Sequence, residues 1–150
     1  MAATHADVAE LTELLGRVPE ADFEVVQRAP DGAPLVIRNA PLLRDGTPMP
    51  TRYWLVDPEL CRAVSRLESE GGVRAAERVV DPGELAAVHA QYAAERDAAL
   101  PPGYAEPRAR GGVGGTARGV KCLHAHLAHH LAGGDDPVGR WVAARLNEPT

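Results

Sequence analysis

Hydrophobic positions in the first 56 residues change from a helical to a strand-like spacing. Over residues 6–16, valine and leucine recur at intervals of three and four and a glycine follows, which predicts an amphipathic helix ending at Gly16. Three later segments are short, contain β-branched or aromatic residues and are separated by the turn-forming dipeptide Asp-Gly. They predict an antiparallel meander with strands at residues 23–29, 34–39 and 51–56.

Helical spacing returns after residue 56. A short helix is predicted over residues 73–80, and a helix that contains most of the histidines over residues 120–132. Residues 101–119 are rich in proline, glycine and arginine, which predicts a long loop. The dipeptide Asp-Pro occurs three times, and it favours a helix start because aspartate can cap the helix while proline suits its first position. The predicted starts are Asp57, Asp81 and Asp136.

The chain has 150 residues, which is enough for one domain with its own hydrophobic core. We expect an α+β fold, with a small antiparallel sheet in the N-terminal third followed by a mostly helical C-terminal half. The expected order within this single domain (1–150) is an N-terminal helix (1–20), a β meander (21–56), helices (57–100), a Gly/Pro/Arg loop (101–119), and the Cys/His helix with a final helix (120–146).

Charge and hydropathy exclude two classes of function. The net charge of −5 gives no general attraction to nucleic acid or anionic lipid, so we expect no non-specific nucleic-acid binding. Apolar runs stay well short of the roughly 18 residues of a membrane span, and the N-terminus lacks the features of a secretory signal. We therefore expect a cytoplasmic protein with no membrane role, in which Cys61 and Cys122 are free thiols.

Candidate chemistry is concentrated in one short segment. Four of the six histidines and one of the two cysteines lie between Cys122 and His130. Imidazole and thiolate are ligands that zinc and other transition metals prefer. At about 100° per residue, Cys122, His126 and His129 share one stripe of a helix, and His124 lies on another side. The sequence therefore predicts a metal site, with zinc as the first choice and His124 as the alternate ligand.

This segment predicts a site but no reaction. The zinc-hydrolase signature His-Glu-x-x-His requires a glutamate, and the segment has none. The competing interpretation is a partly buried helix whose histidines bind backbone or acidic groups, with Cys122 as a small core residue. A structural zinc site needs four ligands. The candidates for the fourth are Cys61, His89, Asp135 and Asp136.

The glycine-rich approach to this helix suggests an anion site. Glycines let backbone N–H groups converge, and a helix N-terminus attracts negative charge. The spacing departs from the phosphate-binding loop pattern, so a flexible hinge is the competing interpretation. The positive charges of Arg118 and Lys121 could also lower the pKa of the Cys122 thiol. The predicted anion-binding residues are Gly114, Gly115, Arg118 and Lys121.

A third candidate feature lies where a loop enters the last predicted strand. Its side chains could line a pocket, or they could simply anchor the core of the sheet. The sequence leaves both alternatives open. The residues concerned are Arg52, Tyr53 and Trp54.

Two passages together resemble a known family. They are DGTPMPTRYWL at 45–55 and GVKCLHAHLAHHLAGGDDPVG at 119–139, and they are similar to the bacterial domain of unknown function DUF501, typical of actinobacteria. The likeness runs from about Phe23 to Gly139. It implies a small cytoplasmic protein often encoded near cell-division and polyphosphate-related genes, and it carries over no activity. The positions that match the family pattern are Lys121, Cys122, His124, His126 and His129.

Three hypotheses follow from the sequence. The first is a non-enzymatic or accessory metal-binding protein, with zinc as its ion. The second is a small enzyme or binding protein for a phosphorylated or other anionic ligand, in which a histidine or Cys122 acts as nucleophile or base. The third is an interaction module for a cell-division protein.

Overall fold

A computed structural model describes residues 2–148 and has the predicted α+β architecture. A three-stranded antiparallel sheet lies near the N-terminus, and the C-terminal half is mostly helical. No helix in this range is long and apolar enough to cross a membrane. The strands are β1 (Phe23–Arg28), β2 (Pro34–Asn39) and β3 (Tyr53–Leu55), and the helices are α1 (His5–Leu15), α2 (Pro58–Ser69), α3 (Gly72–Val79), α4 (Pro82–Ala98), α5 (Leu123–Leu131) and α6 (Pro137–Leu146).

The Asp-Pro signals mark helix starts as predicted. Asp57, Asp81 and Asp136 each accept a hydrogen bond from the backbone N–H three residues later, at 2.9–3.0 Å. Each bond satisfies one of the amide groups that a helix start leaves unpaired. At the other end of α1, Gly16 adopts the left-handed conformation (φ 74°), and its N–H donates to the carbonyl of Thr12.

Two boundaries differ from the prediction for physical reasons. The last strand has three residues rather than six, and the residues on either side of it bond to β2 through the Asn39 N–H to the Arg52 carbonyl and the Val56 N–H to the Leu35 carbonyl. The histidine-rich helix begins at Leu123 rather than at 120, because Cys122 has extended backbone angles (φ −148°, ψ 148°).

The sheet separates two parts of the core. Strand order is β1-β2-β3, with Val25 opposite Ile37 between the first pair of strands. Side chains alternate along β2, so Ile37 packs with Leu11 of α1 while its neighbour Val36 packs against residues of α4 and α5. Helix α1 therefore covers one face of the sheet, and the remaining helices build on the other.

Helix α5 lies at the centre of the helical half. Leu123 and Leu127 are buried among side chains of α2, α3 and α6, whereas Ala125 and Ala128 are buried between the sheet and α4. With its sides covered in this way, α5 has little access to water. Its buried polar groups must therefore find partners inside the protein.

The loop over residues 101–119 is tied to α4. Arg96 is 1% exposed, and its guanidinium donates to three backbone carbonyls. Gly112 lies directly against His89, where a Cβ atom would come within 2.5 Å of the His89 Cα, so only glycine fits. The acceptors for the buried arginine are the carbonyls of Pro50, Ala109 and Gly111.

We predict that Tyr92→Phe destabilises the protein by about 2 kcal/mol. Tyr92 is fully buried, which raises its pKa to about 12, and its hydroxyl accepts the N–H groups of Arg52 at 2.7 Å and Tyr53 at 3.1 Å. Phenylalanine would leave both amides without an acceptor at the start of β3. Urea unfolding followed by circular dichroism measures the loss.

The matched control is Tyr104→Phe. Tyr104 donates to the carbonyl of Pro107 on an exposed loop, so its removal should change the free energy of unfolding by less than about 0.5 kcal/mol. Equal losses in the two variants would show that the buried hydroxyl is not what holds β3.

Candidate functional site

The cysteine and histidines of the predicted site form two separate groups. Because α5 begins at Leu123, Cys122 is its N-cap and does not follow the helical spacing that placed it beside His126 and His129. The structure instead brings Cys122 close to His124, and it brings His126 together with His129. The predicted stripe is therefore divided between the outer, N-terminal end of α5 and its buried face.

The outer group contains a residue that the sequence did not point to, Glu68. One ligand atom each from Glu68, Cys122 and His124 lie within 4.8 Å of one another, so the group could hold a metal ion. Glu68 stands in the last turn of α2, and its Oε2 accepts the Leu123 N–H at 2.8 Å. This carboxylate thus serves as a side-chain cap for α5 as well as a candidate ligand.

The hydrogen bonds of His124 determine which of its nitrogens is free. Nε2 lies 3.2 Å from the backbone carbonyl of Cys61 and 3.2 Å from the hydroxyl of Ser65. A carbonyl only accepts, so Nε2 carries the proton and the Nδ1 of a neutral ring presents a lone pair. Nδ1 faces Glu68 Oε1 at 3.3 Å. Two acceptors at this distance need a proton or a cation between them.

The thiol of Cys122 differs from the sequence expectation. Burial raises its pKa, and the negative charge of Glu68 adds to this effect. The N–H groups of His124 and Ala125 and the charge of Lys121 act in the opposite direction but are outweighed. The expectation of a thiol pKa lowered by neighbouring cations is therefore wrong for the protein without metal. A bound metal ion would displace the thiol proton.

The outer group opens onto a cavity of about 340 Å³. Cys122 and His124 form part of its wall, together with Lys121 and residues of β3. Of the three residues predicted to line a pocket, Tyr53 and Trp54 do so here. The third does not, because the Arg52 guanidinium donates to the carbonyl of Asn39 at 2.7 Å.

The predicted anion-binding residues are divided between two places. Gly114 and Lys121 line the cavity at the outer group, and a Cβ atom on Gly114 would lie 3.4 Å from the Lys121 Cβ. Arg118 instead lines a different cavity, beside Glu77 and His89. Gly115 follows Gly114 in a short 3₁₀ turn, with φ 81°. Only one of the two predicted cations thus lies at the outer group.

The buried group is built on Asp136. Its Oδ2 lies 2.8 Å from Nδ1 of His126 and 3.0 Å from Nδ1 of His129, while its Oδ1 accepts the Gly139 N–H at 3.0 Å. Asp136 and His126 are fully buried, and His129 is 6% exposed. The same carboxylate therefore caps α6, as predicted, and joins it to α5. The neighbouring Asp135 is exposed and pairs with Arg140.

The charge state of the buried group follows from these bonds. Burial alone would raise the pKa of Asp136, but hydrogen bonds from His126, His129 and the Gly139 amide outweigh it and hold that pKa well below its ordinary value. The ionised carboxylate accepts from Nδ1–H of both rings, so Nε2 is the acceptor in each neutral ring. Within residues 2–148, the buried Nε2 of His126 has no hydrogen-bond partner.

The four fourth-ligand candidates have other roles. His89 uses both nitrogens, since Nδ1 accepts from the Val113 N–H and Nε2 donates to the Gly119 carbonyl, and burial lowers its pKa. The Cys61 thiol donates to the Leu55 carbonyl at 3.4 Å. Asp135 and Asp136 serve α6 as described above. The third member of the outer group, Glu68, could have been suspected only because an acidic residue in the last turn of a helix opposes the helix dipole.

The comparison with known proteins identifies a family. A family model described as a protein of unknown function, DUF501, matches residues 25–144. No curated protein matches the chain, and no solved structure matches it. The matched span includes both the outer and the buried group.

We predict that Asp136→Asn lowers the free energy of unfolding by about 3 kcal/mol at pH 7. The side-chain oxygen of asparagine can still cap α6, but its NH₂ group cannot accept a hydrogen bond from a histidine Nδ1–H. One of the two buried histidines, His126 or His129, therefore loses its acceptor. Asp135→Asn is the matched control, because Asp135 is exposed and its pairing with Arg140 contributes little. Chemical denaturation of both variants provides the measurement.

The loss should also depend on pH. An unfolded aspartate has a pKa of about 3.9, and the folded value of Asp136 is lower, so its stabilisation is complete above that pH and is lost as pH falls toward the folded value. The difference between the wild type and Asp136→Asn should shrink by about 1 kcal/mol between pH 7 and pH 3. An unchanged difference would contradict an ionised carboxylate in this group.

Proposed function

The chain belongs to the DUF501 family, whose function is unknown, and we propose that this protein binds one transition-metal ion, zinc, through Glu68, Cys122 and His124. The three side chains come from the end of α2 and the start of α5. They are half-buried, so they are shielded from bulk water yet can be reached by an ion. His126 and His129 are bound to Asp136 and play no part in this site.

The observation that carries the proposal is the position of the proton on the His124 ring. The Cys61 carbonyl fixes the proton on Nε2, which is how carbonyl groups orient histidines that bind metals through the other nitrogen. The freed Nδ1 then faces a carboxylate oxygen at 3.3 Å. A cation between these two acceptors, with the Cys122 sulphur beside it, removes their repulsion and uses all three ligands.

The chemistry of the ligands supports zinc. One sulphur, one nitrogen and one oxygen form a mixed set that suits a borderline ion rather than the all-oxygen sites of magnesium and calcium. In tetrahedral zinc sites the ligand atoms lie about 3.3–3.8 Å apart. The ligand atoms of Glu68, Cys122 and His124 lie within 4.8 Å of one another, so they would have to move closer together by only about 1 Å to bind zinc.

A fourth coordination position is supported by the cavity. Three protein ligands and one exchangeable position are typical of zinc sites that bind or activate a small ligand. Cys122 and His124 both line the cavity of about 340 Å³, so that position would face a space large enough for a small molecule. Lys121 and Trp54 stand in the same wall.

We predict that untagged protein reconstituted with zinc retains about one ion per chain after gel filtration, as measured by elemental mass spectrometry. Cys122→Ala and His124→Ala should each weaken zinc binding by about 100-fold or more, because each removes a direct ligand. Glu68→Gln should weaken it as well, while still offering an oxygen to the Leu123 N–H and so preserving the start of α5.

Cys61→Ala is the matched control. It removes the other thiol, which donates to a backbone carbonyl and lies outside the group, and should leave the zinc content unchanged. Circular dichroism of each variant shows whether the fold is retained. Full zinc content in folded Cys122→Ala and His124→Ala proteins would refute the site.

A second candidate function is the binding of a small anion at the same cavity. The observation in its favour is Lys121, a cation in the wall that also contains Cys122, His124 and the apolar surface of Trp54. A phosphate or carboxylate group could meet this ammonium group, with the open metal position beside it. The reactivity of the bound phosphate or carboxylate compound would then decide whether the protein also catalyses a reaction.

Inorganic phosphate tests this second candidate. At ten times its dissociation constant, phosphate should stabilise the zinc-loaded protein by roughly 1.4 kcal/mol, a rise in melting temperature of about 3–6 °C. Lys121→Met should abolish the rise. Arg118→Met should keep it, because Arg118 lines a different cavity. A melting temperature that phosphate leaves unchanged in the wild type would count against anion binding.

A further inference from the structure

The polar cavity beside His129 is separate from the outer group. It has a volume of about 320 Å³ and lies between α4, the start of β3 and the turn that follows α5. Tyr53 borders both this cavity and the one at Cys122. Its polar lining residues are Tyr53, Gln91, Glu95, His129 and Asp135.

His129 presents an unused acceptor at this cavity. Its Nδ1 donates to Asp136 at 3.0 Å, so the Nε2 of the neutral ring carries a lone pair. That nitrogen makes no hydrogen bond within residues 2–148, although the residue is only 6% exposed. Because His129 lines the cavity, a ligand that brings an N–H or O–H donor can bond to this nitrogen.

The ring is held in a fixed orientation. Tyr53 stacks on it with centroids 5.7 Å apart, and the ring of Tyr92 meets it edge-on at 5.2 Å. Gly134 lets the ring reach the cavity wall, because a Cβ atom at this position would lie 2.2 Å from His129 Nε2. The acceptor is therefore held in place before any ligand arrives, which lowers the entropic cost of binding.

A carboxylate supplies the second anchor. Glu95 accepts the Tyr53 hydroxyl through Oε1 at 2.8 Å, and its other oxygen makes no hydrogen bond in the described part of the chain. No lysine or arginine lines this cavity among residues 2–148. Asp135 adds a further carboxylate at the rim, although its charge is shared with Arg140. The cavity therefore offers acceptors and negative charge.

We propose that this cavity binds a small aliphatic amine in its ammonium form. One N–H of the ammonium group donates to Nε2 of His129, and another donates to the free oxygen of Glu95. An anionic ligand would meet the Glu95 carboxylate, because Arg38, the cation that acts on Tyr53, pairs with Glu24 at 2.8 Å and does not line this cavity. A neutral alcohol could donate to His129 but would gain nothing from the charge of Glu95.

The test uses three molecules of similar length and different charge: 1,4-diaminobutane, 1,4-butanediol and succinate. Isothermal titration calorimetry measures their affinities, and nitrogen-15 NMR follows the His129 Nε2 resonance. We expect the diamine to bind at least about tenfold more tightly than the diol, with succinate not binding, and to shift the Nε2 resonance. Equal affinities for diamine and diol, or an Nε2 resonance that does not respond, would overturn the proposal.

Glu95→Gln locates the site without disturbing the core, because Glu95 is exposed. It should weaken diamine binding by about tenfold or more. Glu13→Gln is the matched control, since it removes the same charge from an exposed position of α1 and should leave the affinity unchanged. Equal weakening in both variants would mean general attraction of a dication to an acidic protein, and would also overturn the proposal.

The test separates this site from the zinc site. Cys122→Ala should lose zinc and keep its affinity for 1,4-diaminobutane, because Cys122 does not line the amine cavity. His129→Gln should weaken the binding of 1,4-diaminobutane, because the Nε2 acceptor is removed. It should still bind zinc, because the outer group of Glu68, Cys122 and His124 is unchanged. Loss of diamine binding in Cys122→Ala would contradict an independent amine site.

Discussion

The carboxylate of Asp136 is the contact on which the helical half depends. It caps α6 through the Gly139 N–H and accepts from both buried histidines of α5, so one ionised group joins the two helices. Helix α5 could not carry two imidazoles among alanines and leucines without such an acceptor. The same bonds fix the tautomer of His129, and this creates the free acceptor at the second cavity.

At the N-terminus of α5, one carboxylate again has two partners. Glu68 accepts the first amide of the helix with one oxygen and faces His124 with the other. A metal ion at this point would join the end of α2 to the start of α5, so metal binding and the stability of this junction should be linked. The proposed site therefore lies at a helix boundary, where unpaired backbone N–H groups already require a hydrogen-bond acceptor such as Glu68.

Strand β3 connects the two cavities. Tyr53 lies on the border of both, and the position of the strand is held by the Tyr92 hydroxyl, which replaces a neighbouring strand as the acceptor for two amides. A ligand that moved Tyr53 in one cavity would change the shape of the other. Strand β3 thus forms a common wall of the two cavities.

The sequence by itself determined the elements of this fold, because local signals such as the Asp-Pro starts and Asp-Gly turns act within a few residues. It also predicted a metal site in the segment from Cys122 to His130, which contains four of the six histidines. Only the tertiary structure decided how they are grouped. Cys122 does not lie on the helical stripe, because the backbone is extended at this residue. Glu68, which lies 54 residues earlier in the sequence, is close to Cys122 because α2 packs against α5. Helical periodicity carries no information about contacts between distant elements.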